Sequence, residues 1–148
     1  MRFLISLFIT LSLFGCASVT LEPADFAWPV ESVLNVDKTG MVQDNRFSFS
    51  VNVKPLFFAE QQDSTDLNMN TVRIIRGVKG YYYMIASGFK NIYSFNVSDG
   101  TMVLYNKIFI SEIGVELPAF NQRSPNIELL DGERHLFYFN AEGKQGEK

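Results

Sequence analysis

The apolar residues of this sequence recur at every second position, in short runs that end at turn residues. The clearest run covers residues 46–54, where Phe47, Phe49, Val51 and Val53 alternate with polar side chains. A period of two places such alternate residues on one face of a β-strand. No segment after residue 25 sustains the period of a helix. The pattern therefore predicts an all-β domain.

Other runs with strand character are separated by Gly, Asp, Asn and Pro. Residues 60–70 are polar and are predicted to form a loop, and residues 111–126 are predicted to be an irregular crossing segment. About seven or eight short strands with turns between them indicate a small single-domain β-sandwich, barrel or antiparallel meander. The alternative is an α+β fold with one or two short helices. The other predicted strands cover residues 33–36, 41–42, 72–76, 81–85, 91–97, 101–110 and 135–140, and residues 127–130 are predicted to be a strand or a short helical turn.

Two of the predicted turns have similar sequences. Residues 95–101 read FNVSDGT and residues 139–144 read FNAEGK. Such turns are similar to the outer hairpins of β-propeller blades. A propeller needs at least about four blades of roughly 40–50 residues each, which is more than this chain provides. We therefore interpret the two turns as independent hairpins that use the same turn chemistry.

The start of the chain has the layout of an export signal. Arg2 precedes an uncharged run at residues 3–14, and the segment ends Leu13-Phe14-Gly15-Cys16. The run fits a signal-peptide core of about 7–15 residues and is shorter than the roughly 20 residues that span a bilayer. A small residue directly before the cysteine, with an aliphatic residue two positions earlier, resembles the lipobox of bacterial lipoproteins. This resemblance implies cleavage before Cys16 and fatty acyl (palmitate-type) lipid attached at that residue.

The lipoprotein resemblance also implies a compartment. Ala17 stands where the inner-membrane sorting signal of lipoproteins has aspartate, so we expect attachment to the cell outer membrane, on its periplasmic face. Cys16 is the single cysteine of the chain, so the mature domain has no disulfide to stabilise it. The predicted organisation is a signal peptide at residues 1–15, a lipidated N-terminus and tether at 16–25, one β domain at 26–142 and a flexible tail at 143–148.

The charge of the mature chain bears on its partners. Loss of Arg2 leaves 12 basic and 16 acidic residues, a formal net charge of −4. Nucleic-acid binding normally uses a basic face, so we expect no nucleic-acid partner. Membrane attachment is expected to come from the N-terminal lipid, and stable anchoring needs more than one acyl chain.

The sequence shows no recognisable catalytic or metal-binding set. A metal site requires several converging His, Cys, Asp or Glu side chains, whereas the chain has one histidine and one cysteine. His135 begins an apolar strand, and no Gly-x-Ser-x-Gly motif accompanies it. We interpret His135 as a strand residue without a catalytic role. We predict no catalytic residue, no metal and no cofactor.

A cluster of aromatic and cationic residues is the best candidate for a binding surface. Such residues bind sugars, peptides or anionic groups. Neighbouring side chains of a strand point to opposite faces, so Tyr82 is expected to lie opposite Tyr81 and Tyr83. The loop predicted at residues 118–125 is a second candidate, because long loops on β scaffolds often carry binding. The candidate residues are Arg73, Arg76, Tyr81, Tyr82, Tyr83 and Arg123.

These observations lead to one expected function and one alternative. We expect a lipid-anchored envelope lipoprotein whose β domain is a non-enzymatic binding or accessory module for an envelope protein or glycan. The alternative is an envelope enzyme or ligand-binding domain whose dispersed site cannot be recognised from sequence motifs.

Overall fold

The computed structural model describes residues 26–63, 67 and 70–146. Within them the chain forms eleven strands and one short helix, so the all-β prediction is confirmed, and the α+β alternative is also compatible with the single helix. The strands are β1 (Ser32–Asn35), β2 (Met41–Asp44), β3 (Phe49–Asn52), β4 (Thr71–Arg76), β5 (Tyr82–Ala86), β6 (Asn91–Ser98), β7 (Thr101–Phe109), β8 (Pro118–Arg123), β9 (Asn126–Asp131), β10 (Arg134–Asn140) and β11 (Gly143–Gln145), and the helix is α1 (Lys54–Gln61).

The strands form three antiparallel sheets. A five-stranded sheet has the order β1-β4-β5-β6-β7, a four-stranded sheet has the order β11-β10-β9-β8, and β2 pairs with β3 alone. Strand β5 is central in the first sheet, as its aromatic and apolar residues on both faces predict. The five-stranded and four-stranded sheets pack face to face, and the ring of Tyr83 on β5 meets that of Phe139 on β10 edge-on at 5.2 Å.

Strands β4–β7 and β8–β11 are two meanders that stack in the same strand order. Strand β4 lies beside β8, and β7 lies beside β11. The two turns with similar sequences are equivalent, because each joins the third strand of its meander to the fourth. The interpretation as independent hairpins therefore misses their matching positions in two stacked units. The described residues contain two such units, and a propeller repeats about four to eight blades.

The segment before β4 ties the two sheets together at one side. Val30 forms an isolated bridge with Asn121 of β8, and β1 pairs with β4 directly after it. Between them, the carboxylate of Glu31 accepts a hydrogen bond from the Phe120 N–H at 2.9 Å and forms an ion pair with Arg73. Burial raises the pKa of Glu31, although the Phe120 N–H and the Arg73 charge both oppose the rise.

The opposite face of the five-stranded sheet is covered by α1 and the β2–β3 hairpin. Phe57 of the helix is fully buried, and its ring meets that of Phe89 at 5.0 Å. The carboxylate of Glu60 accepts hydrogen bonds from Asn91 Nδ2 at 2.8 Å and from the Tyr93 hydroxyl at 2.7 Å. These bonds fasten the end of the helix to β6.

The helix replaces part of a predicted strand and part of a predicted loop. Pro55 lies in its first turn, where the missing N–H of proline costs no hydrogen bond. Gln62 ends it in the left-handed conformation, with φ 58°. The strand predicted at residues 46–54 is correspondingly shorter. It begins at Phe49, because the Asp44 carboxylate accepts the Arg46 N–H at 2.7 Å and holds residues 45–48 in a turn.

The residues between the predicted strands at 33–36 and 41–42 form a turn, but this turn does not close a hairpin. The Asp37 carboxylate accepts the N–H groups of Thr39 at 2.7 Å and Met41 at 2.9 Å, which fixes the turn. Strand β1 then pairs with β4, and β2 pairs with β3. The chain changes sheets at this turn, and local turn chemistry does not reveal that change.

Two segments predicted to be irregular contain strands. Residues 111–126 include β8, whose Pro118 is its first residue, a place where proline is tolerated on an edge strand. The predicted tail includes β11, which pairs with β10. There the Asn140 side chain accepts hydrogen bonds from the Glu142 N–H at 2.9 Å and from Gln145 Nε2 at 3.2 Å. These bonds turn the chain back onto β10.

Candidate ligand site

The tyrosines at the start of β5 are divided between two faces of the sheet. Residues 77–80 form the turn between β4 and β5, in which the Gly77 N–H donates to the Tyr81 carbonyl at 2.9 Å. Tyr81 and Tyr83 point toward the four-stranded sheet, and Tyr82 points toward the β2–β3 hairpin. The alternation predicted from the sequence is therefore observed, and it creates two different sites.

The first site is a cleft of about 240 Å³ between the two stacked sheets, which we name the tyrosine cleft. It opens where the β4–β5, β8–β9 and β10–β11 turns meet. Both segments that the sequence analysis selected contribute to it, the first through residues 77–79, Tyr81 and Tyr83 and the second through Pro125. The residues that carry its chemistry are Lys79, Tyr81, Tyr83, Tyr105, Asn126 and Glu142.

The tyrosine rings form two walls of the cleft. The rings of Tyr81 and Tyr105 lie 4.7 Å apart at 47°. Tyr83 is almost completely buried and packs on Phe139. At the rim, Lys79 Nζ lies 3.7 Å from Glu142 Oε1, so the two charged side chains of the lining neutralise each other.

The hydroxyl groups of Tyr81 and Tyr83 in the cleft remain neutral over the physiological range. Burial raises the pKa of Tyr83, and the nearby Tyr81 and Glu142 add to the effect. Burial also raises the pKa of Tyr81, and the adjacent Tyr105 hydroxyl group acts in the same direction. Each hydroxyl can therefore both donate and accept a hydrogen bond.

Two buried polar side chains beside the cleft have no hydrogen-bond partner in the described part of the chain. They are Ser94 through Oγ and Gln122 through both atoms of its amide. Ser94 is the cross-strand neighbour of Tyr83, and Gln122 is that of Ile127, and both neighbours line the cleft. A buried polar group without a partner costs about 1–3 kcal/mol, so a polar molecule that reached either group would remove part of that cost.

The second site is a groove of about 270 Å³ on the other face, which we name the aromatic groove. Trp28 stacks on Phe47 with ring centroids 3.7 Å apart and meets the Tyr82 ring edge-on at 5.5 Å. The Arg76 guanidinium lies 3.9 Å from the centre of the Phe26 ring and also donates to the Phe26 carbonyl. Trp28 is 2 % exposed, so its ring is part of the folded core.

The two remaining candidate arginines are engaged elsewhere. Arg73 pairs with Glu31 between the sheets. Arg123 lies on β8, where its Nε is 3.0 Å from Glu128 Oε2. The structure therefore brings only Tyr81 and Tyr83 of the six candidates into one cleft, and it places Arg76 and Tyr82 together at the aromatic groove. Cys16 lies outside the described residues.

Glu128 also holds the single histidine. His135 Nδ1 lies 2.8 Å from Glu128 Oε1, and Asn121 Nδ2 donates to the same carboxylate at 3.3 Å. Burial alone would raise the pKa of Glu128, but the hydrogen bonds from His135, Asn121 and Arg123 together lower it. His135 is thus fixed by a buried carboxylate on the outer face of the four-stranded sheet, a partnership that the sequence analysis did not identify.

Sequence reasoning also missed Tyr105, Asn126 and Glu142 at the tyrosine cleft. These residues come from three strands or turns that are distant in sequence from Tyr81. Their convergence depends on the stacking of two meanders. The similarity of the turns at residues 95–101 and 139–144 was a signal of that stacking, because equivalent turns imply equivalent strands.

Comparisons with known protein families, with curated proteins and with solved structures found no match to this chain. Over the described ranges, no group of three or more His, Cys, Asp or Glu residues is placed to hold a metal ion. In the same ranges, no helix has both the length and the apolar character needed to cross a membrane.

Proposed function

We propose that this chain is a lipid-anchored lipoprotein of the bacterial cell envelope whose β domain is a non-enzymatic binding or accessory module. The signal-peptide and lipobox resemblance of residues 1–16 supports the anchor at Cys16 and the outer membrane as its location, with the domain on the periplasmic face. The partner is an envelope protein or an envelope glycan.

The observation that carries the binding role is the tyrosine cleft. It combines exposed aromatic surface with tyrosine hydroxyl groups and a paired charge, and buried polar groups without a hydrogen-bond partner among the described residues lie beside it. Concave sites with a few convergent polar groups among apolar walls are typical of ligand binding. The cleft is also built from turns of both meanders, which is a common position for recognition on a rigid β scaffold.

The anchor is tested by labelling growing cells with a clickable fatty acid. The wild-type chain should be labelled and should sediment with the outer membrane, and Cys16→Ser should lose the label. Label that persists in Cys16→Ser would contradict the anchor.

The binding role is tested by in-cell photocrosslinking. A photoreactive phenylalanine analogue at position 105 should capture one envelope component in high yield. The same analogue at position 138, on the outer face of the four-stranded sheet, is the matched control, because Tyr138 is also a partly exposed β-strand tyrosine. Equal capture at both positions would remove the cleft from the proposal.

An enzymatic role is a second candidate, and the pairing of His135 with Glu128 is the observation that favours it. A carboxylate that orients a histidine ring is a common arrangement for general-base catalysis. If the chain is a hydrolase, His135→Ala should abolish turnover of a broad panel of ester and amide substrates, and Glu133→Gln should not. No turnover by the wild-type chain would exclude this candidate.

A further inference from the structure

If the tyrosine cleft has the proposed binding function, its charge, size and hydrogen-bonding groups restrict the chemical class of its ligand. The charged side chains that line the cleft in the described chain are Lys79 and Glu142, and they form a pair at 3.7 Å. An anionic ligand would meet no unpaired cation there, and a cationic ligand would meet no unpaired carboxylate. The cleft is therefore suited to an uncharged ligand.

The volume of the cleft restricts the ligand to one small unit. About 240 Å³ corresponds to roughly eight water molecules at about 30 Å³ each. A single sugar ring with its substituents has this order of size, whereas an extended peptide would have to leave most of its length outside. The mouth is open to solvent where three turns meet, so a longer chain can continue outward from the bound unit.

The lining offers both apolar faces and hydrogen-bonding groups. The rings of Tyr81 and Tyr105 provide flat apolar surface, and Tyr105 is 51 % exposed. The tyrosine hydroxyl groups and the Asn126 side chain provide neutral donors and acceptors. An apolar peptide side chain would leave these polar groups without hydrogen bonds, which would weaken binding. A sugar ring has an apolar C–H face that can stack on the tyrosine rings and hydroxyl groups that can bond to the polar groups.

We infer that the tyrosine cleft binds one neutral, hydroxyl-rich sugar ring, as a terminal or internal unit of a longer glycan. The sugar ring stacks its C–H face on the Tyr81–Tyr105 wall. Its hydroxyl groups exchange hydrogen bonds with the tyrosine hydroxyl groups and the Asn126 amide. This inference selects the glycan from the two partner classes of the proposed function.

The test uses the full-length lipidated protein in detergent micelles and saturation-transfer NMR. The probes are the neutral trisaccharides N,N′,N″-triacetylchitotriose, cellotriose and maltotriose, with N-acetylphenylalaninamide and inorganic phosphate as competitors of other chemistry. We expect at least one trisaccharide to bind with a Kd of about 1 mM or lower, with the largest transfer to protons of one ring. Tyr81→Phe removes one hydroxyl group and keeps the ring, and it should weaken binding by about 3- to 10-fold. Tyr138→Phe is the matched control and should bind as the wild type does.

Failure of the inference and failure of the proposed function give different results. No binding of any trisaccharide at about 10 mM, ten times the expected Kd limit, would overturn the inference. Preferential binding of N-acetylphenylalaninamide or phosphate would also overturn it, and equal weakening by Tyr81→Phe and Tyr138→Phe would remove the cleft as the site. In each case fatty-acid labelling at Cys16 and crosslinking from position 105 would still report on the anchor and on the binding role.

Discussion

The tyrosine cleft and the aromatic groove lie on opposite faces of the same strand, yet they have different chemistry. In the groove, Trp28 is covered by Phe47, Phe49 and Tyr82, and the polar groups at its edge are bonded within the chain. In the cleft, Tyr81, Tyr83 and Tyr105 line an open space, and polar atoms beside it have no hydrogen-bond partner among the described residues. A side chain that completes its contacts within the fold contributes stability, whereas an incomplete set of contacts indicates where another molecule can bind.

Loss of the central groove ring should have the largest effect on stability. Trp28→Ala removes a buried ring and leaves a cavity, so we expect a loss of about 3–5 kcal/mol in the free energy of unfolding. Urea unfolding followed by circular dichroism measures it, in a Cys16→Ser background without lipid. Ile113→Ala is the control, because Ile113 is 93 % exposed, and it should change stability by less than about 0.5 kcal/mol. A loss below about 1 kcal/mol for Trp28→Ala would show that the groove is not part of the core.

The arginine at the groove edge should have an intermediate effect. Arg76→Met keeps an apolar stem but removes the charge over Phe26 and the hydrogen bond to its carbonyl, so we expect a loss of about 1–2 kcal/mol. Arg134→Met is the matched control. Arg134 forms an exposed pair with Asp131 at 3.1 Å, and such pairs contribute about 0–1 kcal/mol. Equal losses in the same unfolding assay would mean that Arg76 is only a surface charge.

Alkaline pH should act on the cleft through Tyr83. Its pKa is raised above the ordinary value of 10.0 by burial, so the unfolded chain ionises first. The neutral Tyr83 hydroxyl group makes its full contribution to the free energy of unfolding below pH 10.0. This contribution is lost as the pH rises from there toward the pKa of Tyr83 in the folded state. Urea unfolding on both sides of that pH should show the loss, and Tyr83→Phe should reduce it. An unchanged pH profile in Tyr83→Phe would contradict a buried neutral hydroxyl group.

The smallest effect on stability is expected from a substitution that fills the cleft. A Cβ at Gly77 would lie 3.1 Å from Tyr83 Cε2 and 3.6 Å from Ile127 Cδ1. Gly77→Ala reduces the conformational freedom of the unfolded chain, which raises the free energy of unfolding by about 0.4–1 kcal/mol. The close contact with Tyr83 opposes this gain, so the free energy of unfolding should change by less than about 1 kcal/mol. Ligand binding should nevertheless weaken, because the methyl group occupies the cleft. A variant that binds normally would place the ligand elsewhere.

Much of the fold follows from local patterns. The alternation of the strands, the turn at residues 99–100 and the central position of β5 were all predictable, because each depends on neighbours in sequence. The stacking of the two meanders was not, since contacts such as Tyr83 with Phe139 join residues that are far apart in the chain. The alternation also predicted that Tyr82 would lie on the opposite face of the sheet from Tyr81 and Tyr83. This separation places Tyr82 in the aromatic groove and the other two tyrosines in the tyrosine cleft.

The remaining site residues could not be predicted for a related reason. Tyr105 enters the cleft at an irregularity in the pairing of β6 with β7, where the register shifts between Ser94 and Phe95. A shift of one residue moves a side chain to the other face of the sheet. The alternation of residues along β7 therefore does not predict on which face of the sheet Tyr105 lies. Glu128 and His135 meet across a similar shift in β10.

The entry of the chain into the domain has a mechanical consequence. Within a few residues after position 26, the chain is bonded to both sheets, through Val30 to β8, through Glu31 to Phe120 and Arg73, and through β1 to β4. A pull on the N-terminal side along β1 loads these attachments together, since the ladder hydrogen bonds lie across the direction of the force. We therefore expect the described domain to resist unfolding when it is pulled from its N-terminal end, where the proposed membrane tether would attach.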